Sequence, residues 1–325
     1  MGNLSFSAQL PSLQLVIDST SLSEFKLCPR RYYYRVVEGW VPKAPSYHLR
    51  FGLHMHRGRE DYEYLRSQGA DHEEAVRTVI RNAMIDTWDK EIGRPWDSGD
   101  HRRKKTRYTL LRTLVWYLDS FGKDDPARTL ILRNGKPAVE LTFKFIPRDY
   151  YTEQEFTAVT GEPIYFAGHL DRLAEVQGST YICDLKTTGS SSLGESFFSQ
   201  FNPDNQVSFY TYAGKWGLHD TERQEVSGVI IDAAQLKVNS VFFERQIIPR
   251  TNPQIVEWLE DTKHWVNLMG IYAEAGRWPM NDKSCHYYGG CPYRAVCGRT
   301  PGARSAWLEA DYIKDPWDPA RARSE

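Results

Sequence analysis

The hydrophobic and polar positions change period along the chain. Through residue 121 four segments read as helices, most clearly where apolar residues return on one face. "STSLSEFKLCPRRYYYRVV" opens with a capping box, Ser21 with Glu24, and Pro29 should end or kink that helix. "RFGLHMHRGREDYEYLRSQG" runs as a helix to Gly69. "DHEEAVRTVIRNAMIDTWDKEIG" has acids in its first turn and Gly93 at its end, and "RRKKTRYTLLRTLVWYLDSFG" joins a basic start to an apolar stripe. Period two then takes over in "PAVELTFKFI", "IYFAGHLDRLAEV" and "TYICDLKTT", the last two joined as a hairpin by the turn "QGS" at 177–179. "NPDNQVSFYTYAGKWG" returns to helix, with Asn202 as cap and Pro203 at the first position. Strands "EVSGVIIDAA" and "NSVFFERQII" precede a long helix, "NPQIVEWLEDTKHWVNLMGIYAEAG". This order predicts one α/β domain over residues 1–325, with a central mixed β-sheet flanked by helices.

Composition narrows the picture only a little. With 41 Lys and Arg against 42 Asp and Glu, a polyanion site must come from local segregation of charge. Ten Trp, nineteen Tyr and fourteen Phe are generous, enough for core, interface or base stacking. No stretch approaches the roughly 18 apolar residues of a membrane span. The first twenty residues lack the basic start and apolar run of a signal peptide, and Phe6 stands where myristoylation needs Ser or Thr. The expectation is a soluble cytoplasmic protein with no membrane partner. In a reducing compartment five cysteines are a poor disulfide framework, so a cluster of them asks for a metal explanation.

The chemistry concentrates in the strands. Asp184 and Lys186 are two apart and share a face, while Cys183 and Leu185 point the other way into packing. A tight hairpin brings Asp171 beside Asp184. Two carboxylates so close repel unless a divalent cation sits between them, and a hard cation such as Mg²⁺ suits a sparse oxygen-rich site. Lys186 beside such an ion could orient or deprotonate a water and offset charge on a phosphate. Taken alone, Asp-x-Lys is more often a solvated strand edge.

Four motifs in order resemble the RecB-like branch of the PD-(D/E)XK nuclease superfamily. They are Gly-x-x-x-His at Gly52 to His56, with Glu60 one turn later; Gly-x-x-Asp at Gly168 to Asp171; Asp-x-Lys-Thr at Asp184, Lys186 and Thr187; and Gln-x-x-x-Tyr at Gln206 and Tyr210. They span residues 52–210, about half the chain. The resemblance implies a restriction-endonuclease-like core over about 45–276. It makes His56, Asp171 and Asp184 ligands of Mg²⁺ or Mn²⁺, with the Leu185 carbonyl completing the shell. It makes Lys186 the catalytic lysine, with Gln206 and Tyr210 contacting the DNA backbone or supporting the lysine. The proline that names the superfamily is missing, its place in this branch being taken by Gly-x-x-Asp. Glu140 is either a further site acid or a strand-face carboxylate, the second reading being slightly favoured; His169 shares a face with Asp171 and can reach the site, and His48, His54 and His101 are incidental.

Cys28 stands in "LCPRRYYYR", and Cys285, Cys291 and Cys297 stand in "CHYYGGCPYRAVC". Four thiolates suit Zn²⁺ or an iron-sulfur cluster, and spacing alone does not separate these well. The distribution resembles the iron-sulfur type of the same family, which includes the AddB nuclease domain and CRISPR-associated RecB-like exonucleases. It implies a 4Fe-4S cluster joining segments at about 21–40 and 280–300, ahead of a tail at 301–325. The C-x5-C-x5-C spacing departs from the shorter first gap usual there, so zinc stays the alternative. Cys183, facing the core, is left out. Arg30, Arg31 and Arg35, with Tyr32, Tyr33 and Tyr34, could line a strand path, and "HRRKKTR" at 101–107 is a second basic patch.

These readings predict a Mg²⁺- or Mn²⁺-dependent DNA nuclease acting on single strands or duplex ends. Exonuclease action and single-strand preference, like a helicase, recombination or CRISPR partner and a role in repair, come from the resemblance. A structure-selective endonuclease is the alternative within enzymes. An iron-sulfur DNA-binding accessory subunit with a vestigial site is the alternative outside them. No P-loop of the form GxxxxGK[ST] is present.

Overall fold

The computed structural model describes residues 5–43, 47–90, 93–95, 104–190, 192–216 and 225–319. Contacts divide the chain into two compact units. One comprises Met1–Pro45, Thr142–Gly168 and Asn252–Glu325, the other Ser46–Leu141 and His169–Thr251.

The second unit carries the sheet and its helices. Its helices are α1 (Tyr47–Ser67), α2 (His72–Asp86), α3 (Arg107–Phe121) and α4 (Asn205–Trp216). Its strands are β1 (Arg128–Thr129), β2 (Tyr165–Val176, entering this unit at His169), β3 (Ser179–Thr188), β4 (Val226–Leu236) and β5 (Val241–Pro249). β2 and β3 form the expected hairpin. Gln177 and Gly178 both take positive φ, 51° and 80°, which turns the chain in two residues and sets Val176 opposite Ser179. The ladder then runs outward to Arg172 opposite Cys183 and stops there. β3 pairs in parallel with β4, the crossover passing through α4, and β5 closes the edge antiparallel to β4. β1 pairs with the other side of β2, so the sheet is mixed as the sequence pattern predicts.

One face of the sheet is covered by α1, α2 and α3. Leu185 and Leu236 are buried there with Phe51, Met55, Val79, Leu110 and Leu114. That face is not wholly apolar as expected. Cys183 is buried against Ala127, Ala174 and Ile230, but an ionic cluster lies beside it. Arg59, Arg172 and Arg245 face Glu63, Asp125 and Asp232, with Tyr117 donating to Asp232 at 2.9 Å. Matched charges make this burial tolerable. α4 lies close to β3 and β4: a Cβ on Gly214 would stand 2.7 Å from Val226 and 3.0 Å from Ile182, so the approach needs glycine.

Three boundaries differ from the sequence reading. α2 ends at Asp86 rather than Gly93, because the fully buried Thr87 caps it: its hydroxyl contacts the Ala83 carbonyl and accepts from Arg107 at 2.9 Å. α4 starts at Asn205, and Asp204 accepts the Val207 N–H at 2.9 Å, so Asp204 caps it rather than Asn202. In the first unit, Asp18 and Ser21 form the capping box of the helix Ser19–Leu27, one turn ahead of Ser21 and Glu24. Pro29 then opens a fresh turn after a break at Cys28.

The first unit also holds the long helix Asn252–Glu274, with Phe25, Tyr32, Trp265, Tyr272 and Trp278 packed edge to face or tilted. Among the described residues no helix is long and apolar enough to cross a membrane.

Candidate active site

The ladder between β2 and β3 ends one residue short of Asp171 and Asp184, so the two strands part at the carboxylates. His56 comes to this opening from α1. Its Nδ1 lies 3.0 Å from Asp171 Oδ2, and single ligand atoms of His56, Asp171 and Asp184 all lie within 4.8 Å of one another. Two carboxylate oxygens and an imidazole nitrogen so gathered are a donor set that suits a divalent cation. Asp184 is only 2 % exposed. Burial raises its pKa and Asp171 adds to that, against the opposing pull of Lys186 and His56. A cation between the carboxylates would relieve that repulsion, so the residues fit the group the sequence implies.

Lys186 Nζ stands 2.6 Å from Asp184 Oδ2 and donates to Gln206 Oε1 at 2.6 Å. Gln206 Nε2 in turn donates to the Tyr210 hydroxyl at 3.0 Å. Burial works to lower the lysine's pKa, but Asp184, Asp171 and Asp204 outweigh it and the net shift is upward. The ammonium is therefore the resting form, and its side chain keeps 28 % exposure towards solvent. Asp204 was missed in the sequence because it reads only as part of a helix cap. A cavity of about 20 Å³, room for one water-sized guest, is lined by His56, Glu60, Glu140, Asp171 and Leu185 among others. Glu140 thus borders the site more closely than a plain strand-face carboxylate would.

Among the described residues, His48, His54 and His169 do not join the group of three. His169 lies two residues before Asp171 on β2, His48 is exposed, and His54 is half-buried with its pKa lowered by burial. His101 lies outside the described residues, as do Arg102 and Arg103 of the basic patch. Cys183 is buried and its thiol is pushed up to about 11, first by burial, as suits a neutral packing residue.

The other four cysteines all belong to the first unit, and all are free thiols. Cys28 accepts the Asn281 N–H at 3.3 Å. The Cys291 and Cys297 thiols are raised by burial and further by neighbouring thiols: Cys28 acts on both, Cys285 on Cys291, and Cys291 on Cys297. Cys291 and Cys297 pack beside Tyr34, Tyr293 and Tyr312. The residues expected to line a strand path also make contacts within the first unit. Arg30 donates to the Trp278 carbonyl, Arg31 pairs with Glu24, and Arg35 bonds the Asp315 carbonyl over the Trp317 ring. Tyr32 is fully buried on Gln14, Tyr33 stacks on Trp278, and Tyr34 packs on Tyr293. Tyr32 and Tyr34 are buried and offer no stacking face to solvent, while Tyr33 and the three arginines are half-buried.

No curated protein matches the chain. Among solved structures, a "Putative exonuclease" from Eubacterium rectale is similar over 97 % of both chains at 10 % identity and a TM-score of 0.47. SSO0001 is similar over 88 % of this chain and 87 % of its own, at 12 % identity and a TM-score of 0.34. Scores this low carry no argument. The family profile described as the PD-(D/E)XK nuclease superfamily matches residues 19–298, which takes in every motif above and all four clustered cysteines. The chain belongs to the PD-(D/E)XK nuclease superfamily.

Proposed function

We propose that the protein is a Mg²⁺- or Mn²⁺-dependent nuclease that hydrolyses phosphodiester bonds of DNA, with single strands or duplex ends as substrate. The observation that carries this reading is the convergence of His56, Asp171 and Asp184 at the parting of two strands, with Lys186 2.6 Å from Asp184. His56, Asp171 and Asp184, with the Leu185 carbonyl, would hold the cation. When bound, a divalent cation supplies Lewis-acid polarisation of the phosphate and lowers the pKa of water. The chain's own groups do the rest. Lys186, held as an ammonium by its acidic neighbours, orients the attacking water and offsets negative charge that grows on the phosphate oxygens. Gln206 fixes the ammonium in direction, and Tyr210 fixes Gln206. The acidic groups intact beside Lys186 support a working site over a vestigial one.

The four gathered cysteines support a structural 4Fe-4S cluster between Cys28 and Cys285, Cys291 and Cys297. Burial raises the Cys291 and Cys297 thiols, and Arg31 on the first and Arg30 and Arg304 on the second oppose it. The cluster would fasten the start of the chain to its C-terminal segment.

Oligonucleotides labelled at the 5′ or the 3′ end, single- and double-stranded, test the activity and its direction. With Mg²⁺ or Mn²⁺ the protein should release short products from one labelled end of single strands, and EDTA should stop it. Discrete internal fragments from branched duplexes alone would instead support the structure-selective endonuclease.

A further inference from the structure

One lysine beside the catalytic strand has no acidic counterpart among the described residues. Lys105, immediately before the Thr106 cap of α3, donates its Nζ to Thr187 Oγ1 at 3.1 Å, and Thr187 directly follows Lys186 on β3. The same ammonium lies 5.6 Å from the centre of the Phe51 ring on α1, five residues ahead of His56. Lys104 next to it donates to the Gly189 carbonyl at 2.7 Å, just past the end of β3. Two cations are thus tied to the last turn of the strand that carries Asp184 and Lys186.

Lys105 is half-buried, and burial lowers its pKa. Among the described residues no carboxylate pairs with it. Half-burying an ammonium beside a hydroxyl and an aromatic ring costs free energy that a neighbouring anion would return. Gly52 adds a second sign. It sits inside α1 next to Phe51, and a Cβ built there meets nothing within 4 Å. No packing among the described residues accounts for a glycine at this place in the helix, where it weakens the helix. Glycine is the residue that lets another backbone come close.

We propose that Lys105 binds the DNA backbone, holding the phosphate next to the one aligned at Lys186, with the strand passing close over Gly52. Thr187 aims the ammonium, and Lys104 extends the same charge along the rim. This rests on the nuclease reading and assigns that site its grip on substrate.

The test is steady-state cleavage of a fluorescent single-stranded oligonucleotide with Mn²⁺ by the wild-type full chain, Lys105→Gln and Lys105→Arg. Lys105→Gln should raise KM about tenfold with kcat within about twofold, and flatten the salt dependence of binding by about one ion. Lys105→Arg should restore KM, and melting temperatures should match. An unchanged KM and salt slope in Lys105→Gln, beside an active wild type, would overturn this assignment and leave the nuclease reading standing. So would a fall in kcat and melting temperature that Lys105→Arg does not rescue. A wild type that cleaves no DNA with either metal would overturn the nuclease reading itself.

Discussion

Four side chains, Asp184, Lys186, Gln206 and Tyr210, form a row linked by contacts of 2.6, 2.6 and 3.0 Å. Their pairing was legible in the sequence because it rests on two simple periods: Asp184 and Lys186 are two apart on a strand, and Gln206 and Tyr210 are four apart on a helix. The contact between the pairs was open to two readings, DNA backbone or lysine. Gln206 Oε1 accepting from Lys186 favours the lysine. Gln206→Ala should therefore lower kcat about 10- to 100-fold, the usual loss when a group that orients a reacting residue is removed, with KM little changed. A rise in KM at constant kcat would instead place Gln206 on the DNA. Asp204 was not assigned a role, Glu140 was read mainly as a strand-face carboxylate and Lys105 only as part of the basic run at 101–107, since no local pattern joins any of them to Lys186.

Elements explain why the carboxylates meet. The two-residue turn at Gln177 and Gly178 sets the register of β2 and β3, and a shift of one residue would put Asp171 and Asp184 on opposite faces. Turn chemistry and period two made that hairpin readable. Helix ends were read less well. Gly93 looked like a natural stop for α2, but the buried Thr87 stops it seven residues... earlier at Asp86, through contacts with Ala83 and Arg107 that sequence does not show.

 Gly52 gives this scale its prediction. With open space around its α carbon, Gly52→Ala should stabilise α1 by about 0.5–1 kcal/mol, the ordinary helix preference for alanine, seen as a higher urea midpoint. If the strand passes close over Gly52, the same variant should bind single-stranded DNA more weakly. A lower midpoint would show that the glycine serves packing after all.

Across the whole molecule, the order of elements and the mixed sheet followed from the change of period, and the four cysteines were singled out by their positions along the chain and by the family resemblance. The balanced cluster of Arg59, Arg172 and Arg245 with Glu63, Asp125 and Asp232 was invisible, because its six members come from α1, the segment after α3, and strands β2, β4 and β5. Each looks like an ordinary charged residue until the fold brings it inside. The cysteines make a separate prediction. Protein purified without oxygen should be brown, with about four irons per chain, as a 4Fe-4S cluster on Cys28, Cys285, Cys291 and Cys297 requires. Cys291→Ser should lose colour and melt at lower temperature. A colourless preparation with one zinc per chain would show a zinc site in its place.

Lys186 is proposed to work at a metal site formed by His56, Asp171 and Asp184. The measurement that tests it most directly is the single-turnover rate of cleavage of labelled DNA by Lys186→Ala with saturating Mn²⁺. The account predicts a rate at least about 100-fold below wild type, the scale of a lost electrostatic contact to the transition state, with DNA binding and folding retained. Cleavage at the wild-type rate would contradict it.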